Sequence, residues 1–502
     1  MIVAAVVLAA AIDKAADTPR TRHSVVSAEV YDLDTHRLLY ARNAQTLMIA
    51  ASTTKLLTTG TSLALLGPNF RYTTPVYRTG PVDSDGTLHG DLVLVAAGDP
   101  NLSGRIKPDG TLAFENEDHA YDGSASTKAV PGDPLAVLRD LAGQVAKSGI
   151  KSIDGRVLVD TSLFPDQGTE AGTGTTLSPI VVNDNLVDVT VTPAKNPGDP
   201  VSIAVSPQTA YVTFVNKATT AGSKADATID MSDDVTDTAG RHTVTIKGVQ
   251  PAARSVLYAY RITDPKRFAQ DAFAQVLQDA YVTLKAESAA TATAAASPLP
   301  YSPQTLVAQH ASPPLSEDVY VTLKVSDNLH AALMPYMWAI YVAHAKSDYL
   351  KAGFARERAL LRGAGLDLLG ASQGDGEGGF GLFTPDFMVH YLAWAHVQPW
   401  YKFLYRGLPI MGIDGTLADI QKRSPARGKV FAKTGTWGDH DYLNNVDVVE
   451  KGLAGFMTTK RGHHVAFAFY TSAMQGKSEQ ENTGNVAGQI LGAMATATYT
   501  SL

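Results

Sequence analysis

The chain has 502 residues and a formal net charge of −7, with 45% hydrophobic and 18% charged residues. That balance supports a sizeable core spread over roughly two to four domains, and the lack of a long basic run excludes a phosphate-tracking nucleic-acid surface. The chain has no cysteine, which excludes disulfides, thiolate metal sites, a cysteine nucleophile and a lipid-modified N-terminal cysteine.

The N-terminus reads MIVAAVVLAAAIDKAADTP. Its apolar run, Ile2 to Ile12, is too short to span a bilayer. It suits the apolar part of an export signal, with small residues at Ala10, Ala11, Ala15 and Ala16, although the usual basic leader is missing. Residues 1–21 are therefore expected to be a signal-like segment. VVSAEVY (25–31) and Leu38-Leu39-Tyr40 flank Asp34-Thr35-His36 and predict a hairpin. From Ser52 the pattern turns helical, with Leu56, Leu57, Leu63 and Leu66 apolar and Gly67-Pro68 as the stop.

From about residue 76 short alternating runs dominate, among them LVDVTVTP, AYVTFV and HTVTIKG. They read as half-buried strands. Asp264-Pro265 opens an amphipathic helix with Phe268, Ala272, Phe273, Val276 and Leu277 inward. The Ala/Thr/Ser/Pro-rich stretch that follows, AESAATATAAASPLPYSPQ, reads as a linker or surface loop. Helical texture then returns in LKVSDNLHAALMPYMWAIYVAHA and TPDFMVHYLAWAHVQPWYKFLY. The chain closes on strands GLAGFMTT and HHVAFAFYTSA and a helix, NVAGQILGAMATA. An α+β fold is expected, in which residues 22–75 and 312–502 form one domain. A mainly β insertion would divide into 76–170 with 262–311 and a nested part at 171–261.

Ser52 and Lys55 stand at i and i+3, one helical turn apart on a shared face. Serine is a poor nucleophile without an adjacent base. A lysine held partly neutral can serve, and a helix start favours a developing oxyanion. Taken alone, the pair is a helix cap beside a solvated charge. Ser326-Asp327-Asn328 alone is loop or cap chemistry, and Lys433-Thr434-Gly435-Thr436 alone is a strand end. In this order, however, the three motifs form the signature of penicillin-binding proteins and class A β-lactamases. The thirteen histidines form no His-Glu-x-x-His pattern. The pair His463-His464 points to opposite faces of a strand, so no metal is expected.

The resemblance extends well beyond these motifs. The chain resembles the class C low-molecular-mass penicillin-binding proteins, the D-alanyl-D-alanine carboxypeptidase/endopeptidase family. The matching stretches are YDLDTHRLLYARNAQ, ASTTKLLTTGTSLALLG, LVLVAAGDPNLSG (92–104), SPIVVNDNLVDVTVTP (178–193), GLPIMGIDGTLADI (407–420) and FAKTGTWGDHDYLNN. The long interval between Ser52 and Ser326 is also similar to that family, whereas class A β-lactamases are compact there. The departures are Ala50 in place of the usual Pro, Ala332 where a Glu is common, and DGEGGFG (375–381), which brings Glu377.

The resemblance implies a transpeptidase-like domain, an antiparallel sheet flanked by helices, with two nested subdomains inserted. It implies attack by Ser52 with Lys55 as base and proton passage through Ser326 between Lys55, Lys433 and a leaving amine. Asn328 would hold Lys55 and a substrate amide. Lys433, Thr434 and Thr436 would bind a substrate carboxylate, and the backbone N–H groups of Ser52 and Thr436 would form an oxyanion hole. Gly435 is expected to let substrate lie close to its strand. The substrates implied are peptidoglycan peptides ending in D-Ala-D-Ala, with β-lactams as covalent inhibitors and no cofactor. An exported, periplasmic or wall-facing location follows. Any membrane or wall association is expected to be loose, since the C-terminus, ATATYTSL, shows no amphipathic anchor. A β-lactamase, esterase or D-aminopeptidase of the same fold, and a catalytically weak wall-associated scaffold, remain alternatives.

Overall fold

The computed structural model describes residues 2–285 and 301–502, without the side chains of residues 2–5. Most of the expected linker therefore lies outside the described residues. The chain divides into two compact units. Unit 1 combines residues 1–70 with 315–502, and unit 2 is 71–314.

Unit 1 is built on one five-stranded sheet. Its strands are β1 (Val26–Asp32), β2 (Arg37–Arg42), β3 (Val430–Asp441), β4 (Val446–Thr458) and β5 (His464–Gln475), in the order β2-β1-β5-β4-β3. Every pairing is antiparallel. N-terminal strands thus lie beside C-terminal ones, as an inserted middle requires.

The sheet is two-faced because side chains alternate along a strand. On β5, Val465, Phe467 and Phe469 join one apolar cluster with Val26, Ala28 and Val30 of β1. The intervening Ala466, Ala468 and Tyr470 join the other. The first cluster is closed by α1 (Ile2–Ala16) and by α6 (Thr483–Ser501) through Leu491, Met494 and Ala495. The second is closed by α2 (Lys55–Leu65), α3 (Asn328–Met337), α4 (Tyr349–Gly363) and α5 (Pro385–His396).

The segment expected to be a signal is thus part of this core. Leu8, Ile12 and Ala16 of α1 are buried at 0–1% exposure. Cutting the chain at Ala15 or Ala16 would strip them from the sheet, at about 1.5–3 kcal/mol for each large side chain uncovered. Among the described residues no helix is long and apolar enough to cross a membrane.

In unit 2 a four-stranded sheet is formed by Leu306–Ala311, Thr73–Arg78, Leu92–Val95 and Val157–Asp160, in that order. The helix Pro265–Asp279 starts where expected. The Asp264 side chain accepts from Arg267 N, and Pro265 takes the first turn. Its Phe268, Phe273, Val276 and Leu277 are buried in the unit's main cluster. The strands between 186 and 261 make three smaller sheets of their own.

Candidate active site

Ser52 sits in a 3₁₀ turn, Ala51–Thr54, that runs directly into α2. No side chain caps this entry, so the serine is not spent as a cap. The turn is tightly held. Ala50 N donates to Gly381 O at 2.8 Å, and Thr53 N and Thr53 Oγ1 both donate to Ala50 O, at 3.1 and 2.7 Å. Ala51 has φ +44°, a left-handed conformation uncommon for a non-glycine residue.

Two glycines press on this turn. A Cβ on Gly378 would lie 2.0 Å from Ala51 O, and one on Gly435 would lie 2.3 Å from Ala50 O. Gly435 thus lets β3 pack backbone-to-backbone against the turn that carries Ser52.

Lys55 opens α2 and is fully buried. Its Nζ lies 2.8 Å from Ser52 Oγ, 2.6 Å from Asn328 Oδ1 and 3.0 Å from Glu377 O. These three oxygens match the three donors of an ammonium. The same distance lets Ser52 pass its proton to a neutral amine. The second motif divides its work by side-chain direction. Asp327 caps α3 (Asn328–Met337), its carboxylate accepting from His330 N at 3.0 Å. Its neighbours face the site, with Asn328 on Lys55 and Ser326, at φ +65°, on Lys433.

Lys433 Nζ lies 2.8 Å from Ser326 Oγ and donates to Thr434 O at 2.8 Å. It is fully buried and is held well below the ordinary lysine range, first by burial and then by the positive charges of Lys55 and Lys451. Beyond it, Thr434 Oγ1 lies 2.7 Å from Thr416 Oγ1, and Thr436 is exposed. The expected residues of the three motifs thus form two serine–lysine pairs, Ser52–Lys55 with Asn328 on Lys55, and Ser326–Lys433.

The departures also find places. Ala50 and Ala332 are buried. In 375–381, Asp375 ties the loop by accepting from the N–H groups of Gly378, Gly379 and Phe380 at 2.6–3.1 Å. Gly376 lies so close to α3 that a Cβ would be 2.1 Å from Ala331 O. This packing brings the Glu377 carbonyl to Lys55. Glu377 is 5% exposed; burial, and then this carboxylate, push Tyr336 up to about 12.

One residue escaped sequence reasoning. Lys451 of β4 stands directly opposite Thr436 in the strand pairing and donates to Thr436 Oγ1. No motif marks it. Only the β3–β4 register, which joins residues 15 apart, would have found it.

Several known proteins are similar to this chain over most of its length. The family model for D-Ala-D-Ala carboxypeptidase 3 (S13) matches residues 8–493. A D-alanyl-D-alanine carboxypeptidase of Actinomadura sp. (strain R39) is 26% identical over 476 residues, covering 90% of this chain and 80% of that protein. The D-alanyl-D-alanine carboxypeptidase DacB of Haemophilus influenzae is 25% identical over 454 residues, covering 87% of this chain and 83% of its own. The crystal structure of penicillin binding protein 4 (dacB) from Haemophilus influenzae superposes with a TM-score of 0.71 at 21% identity, over 97% of this chain and 98% of that one. The same protein complexed with a β-lactam gives 0.69 at 22% identity, over the same shares of the two chains.

Proposed function

This chain belongs to the D-Ala-D-Ala carboxypeptidase 3 (S13) family, and from that premise we propose that it cleaves the terminal D-alanyl-D-alanine bond of peptidoglycan stem peptides through an acyl-enzyme on Ser52. The observation that carries the reading is the 2.8 Å contact of Lys55 Nζ with Ser52 Oγ, repeated by the Lys433–Ser326 pair at 2.8 Å.

Neutral Lys55 takes the Ser52 proton as Oγ attacks the carbonyl carbon of the penultimate D-alanine. The oxyanion so formed lies between the N–H groups of Ser52 and Thr436, donors that need no reorganisation. Asn328 orients Lys55. The proton that Lys55 took is passed on through Ser326, hydrogen-bonded to Lys433, to the leaving nitrogen, so D-alanine departs and Lys55 is neutral again. Water then attacks the ester, its proton passing to the neutral Lys55 and from there to the Ser52 oxygen as the ester bond breaks, which regenerates Ser52. The depressed pKa of Lys433 supports its place in proton transfer more than in charge pairing with a substrate.

β-Lactams present an amide in a strained ring next to a carboxylate, and the same serine opens that ring. Substrate of this kind also argues for action outside the cytoplasmic membrane, on the wall side. The experiment is release of free D-alanine from a stem pentapeptide ending in D-Ala-D-Ala. Wild type should release it stoichiometrically and Ser52→Ala should release none. Equal release by both would overturn the assignment of Ser52.

A further inference from the structure

We propose that Lys451 is a dedicated anchor for the free carboxylate at the substrate's C-terminus, seated in a cavity between the β3–β4 pair and the first turns of α6. The inference rests on the reading of the site given above and adds a binding residue that the three motifs do not contain.

The cavity measures about 250 Å³, and its polar wall is made by Thr416, Thr434, Thr436, Lys451, Asn482 and Asn485. It is smaller than the pockets that hold drug-sized ligands, and suits the carboxylate and small side chain of a single amino acid. Thr434 and Thr436 belong to both the cavity and the motif, so the cavity lies against the strand that carries Lys433.

Lys451 is the cation of this cavity. Its Nζ donates to Thr436 Oγ1, and among the described residues no carboxylate pairs with it. The elements packed around it bring no acid to that wall. β3 contributes threonines and, deeper, Lys433; the segment 415–417 contributes Thr416; the cap and first turn of α6 contribute Asn482 and Asn485. The side chain is half-buried, and burial without an answering charge holds its ammonium down at about 8. A cation partly withdrawn from water without a counter-ion carries a desolvation cost, which an incoming carboxylate offsets.

Lys433 is poorly suited to the same task. It is fully buried and engaged with Ser326 and with the carbonyl of Thr434. The work of binding a terminal carboxylate by charge therefore passes to Lys451, with Thr434 and Thr436 as hydroxyl partners. The N-terminus of the 19-residue α6 adds positive potential at the same wall.

The test is steady-state kinetics of wild type, K451M, K451Q and K451R on two D-Ala-D-Ala peptides, one ending in a free carboxylate and one in a carboxamide, with a thermal melt of each variant. A charge-assisted hydrogen bond of this kind corresponds to a loss of about 10- to 100-fold on removal. KM for the acid should rise by that factor in K451M and K451Q, with kcat within about threefold. KM for the carboxamide should stay at its wild-type value, and K451R should recover most of the loss. Equal effects on both peptides, or none on either, would overturn the proposal. So would K451R failing to recover an effect shared by the two neutral variants. Failure of the underlying reading looks different, since wild type would then release no D-alanine from the acid peptide.

Discussion

Gly435→Ala tests the contact on which the site's geometry depends. The added Cβ would stand 2.3 Å from Ala50 O, 3.2 Å from Thr53 N and 3.3 Å from Ala51 Cβ. The obstacle is backbone, so no side chain can swing away. Ordinary contact begins near 3.4 Å, and β3 or the 3₁₀ turn must retreat by roughly an ångström to reach it. Overpacking of this kind costs about 1–3 kcal/mol of stability. The catalytic effect is expected to be larger in proportion. Ser52 is on one side of the contact and the Thr436 N–H is on the other, so the two N–H groups proposed to hold the oxyanion move apart by about that distance. A misplacement of about 1 Å costs on the order of 100-fold in rate. The assay is the second-order rate of acylation by a fluorescent penicillin, read beside a thermal melt. A folded variant acylated within about threefold of wild type would refute the claim that this strand–turn contact sets the site.

Other perturbations separate chemistry from stability. Lys55→Met keeps the chain length of the buried side chain and removes the base; acylation should slow by about 100- to 10,000-fold while penicillin still protects against thermal unfolding. Glu357 is buried against Thr61, whose Oγ1 donates to it at 3.0 Å, and burial raises its pKa to about 7 from an ordinary 4.5. A raised folded-state value means its stabilising contribution is complete below pH 4.5 and is lost as pH rises through 7. Wild type should therefore lose up to about 3 kcal/mol across that window relative to Glu357→Gln, seen as a pH-dependent gap between their denaturation midpoints; a constant gap would contradict it. Gly143 lies inside the helix Ala136–Lys147, with nothing within 4 Å of the place an added Cβ would take. Gly143→Ala should therefore raise the unfolding free energy by about 0.5–1 kcal/mol in urea denaturation.

The fold was legible where local pattern and tertiary burial agree. The alternation in HHVAFAFYTSA is the alternation of β5 between two apolar clusters, and Asp264-Pro265 caps its helix because both residues have strong end preferences. The site was legible as three motifs because each motif is short and its members are near neighbours in the chain. What sequence reading missed depends on contacts between distant segments. An apolar run of eleven residues fits an export signal and a core helix equally well, and only its packing with α6 and the sheet distinguishes them. The close approach of Gly435 to the backbone of Ala50 joins segments that no local pattern connects. Lys451 enters the site through strand register, which no local spacing encodes.

The central claim is that Ser52 is the residue acylated. It is tested most directly by intact-mass measurement after incubation with a labelled penicillin, followed by peptide mapping, for wild type and Ser52→Ala. The account predicts one adduct per wild-type chain, on the peptide containing Ser52, and none on the variant. An adduct on the variant, or none on wild type, would contradict it.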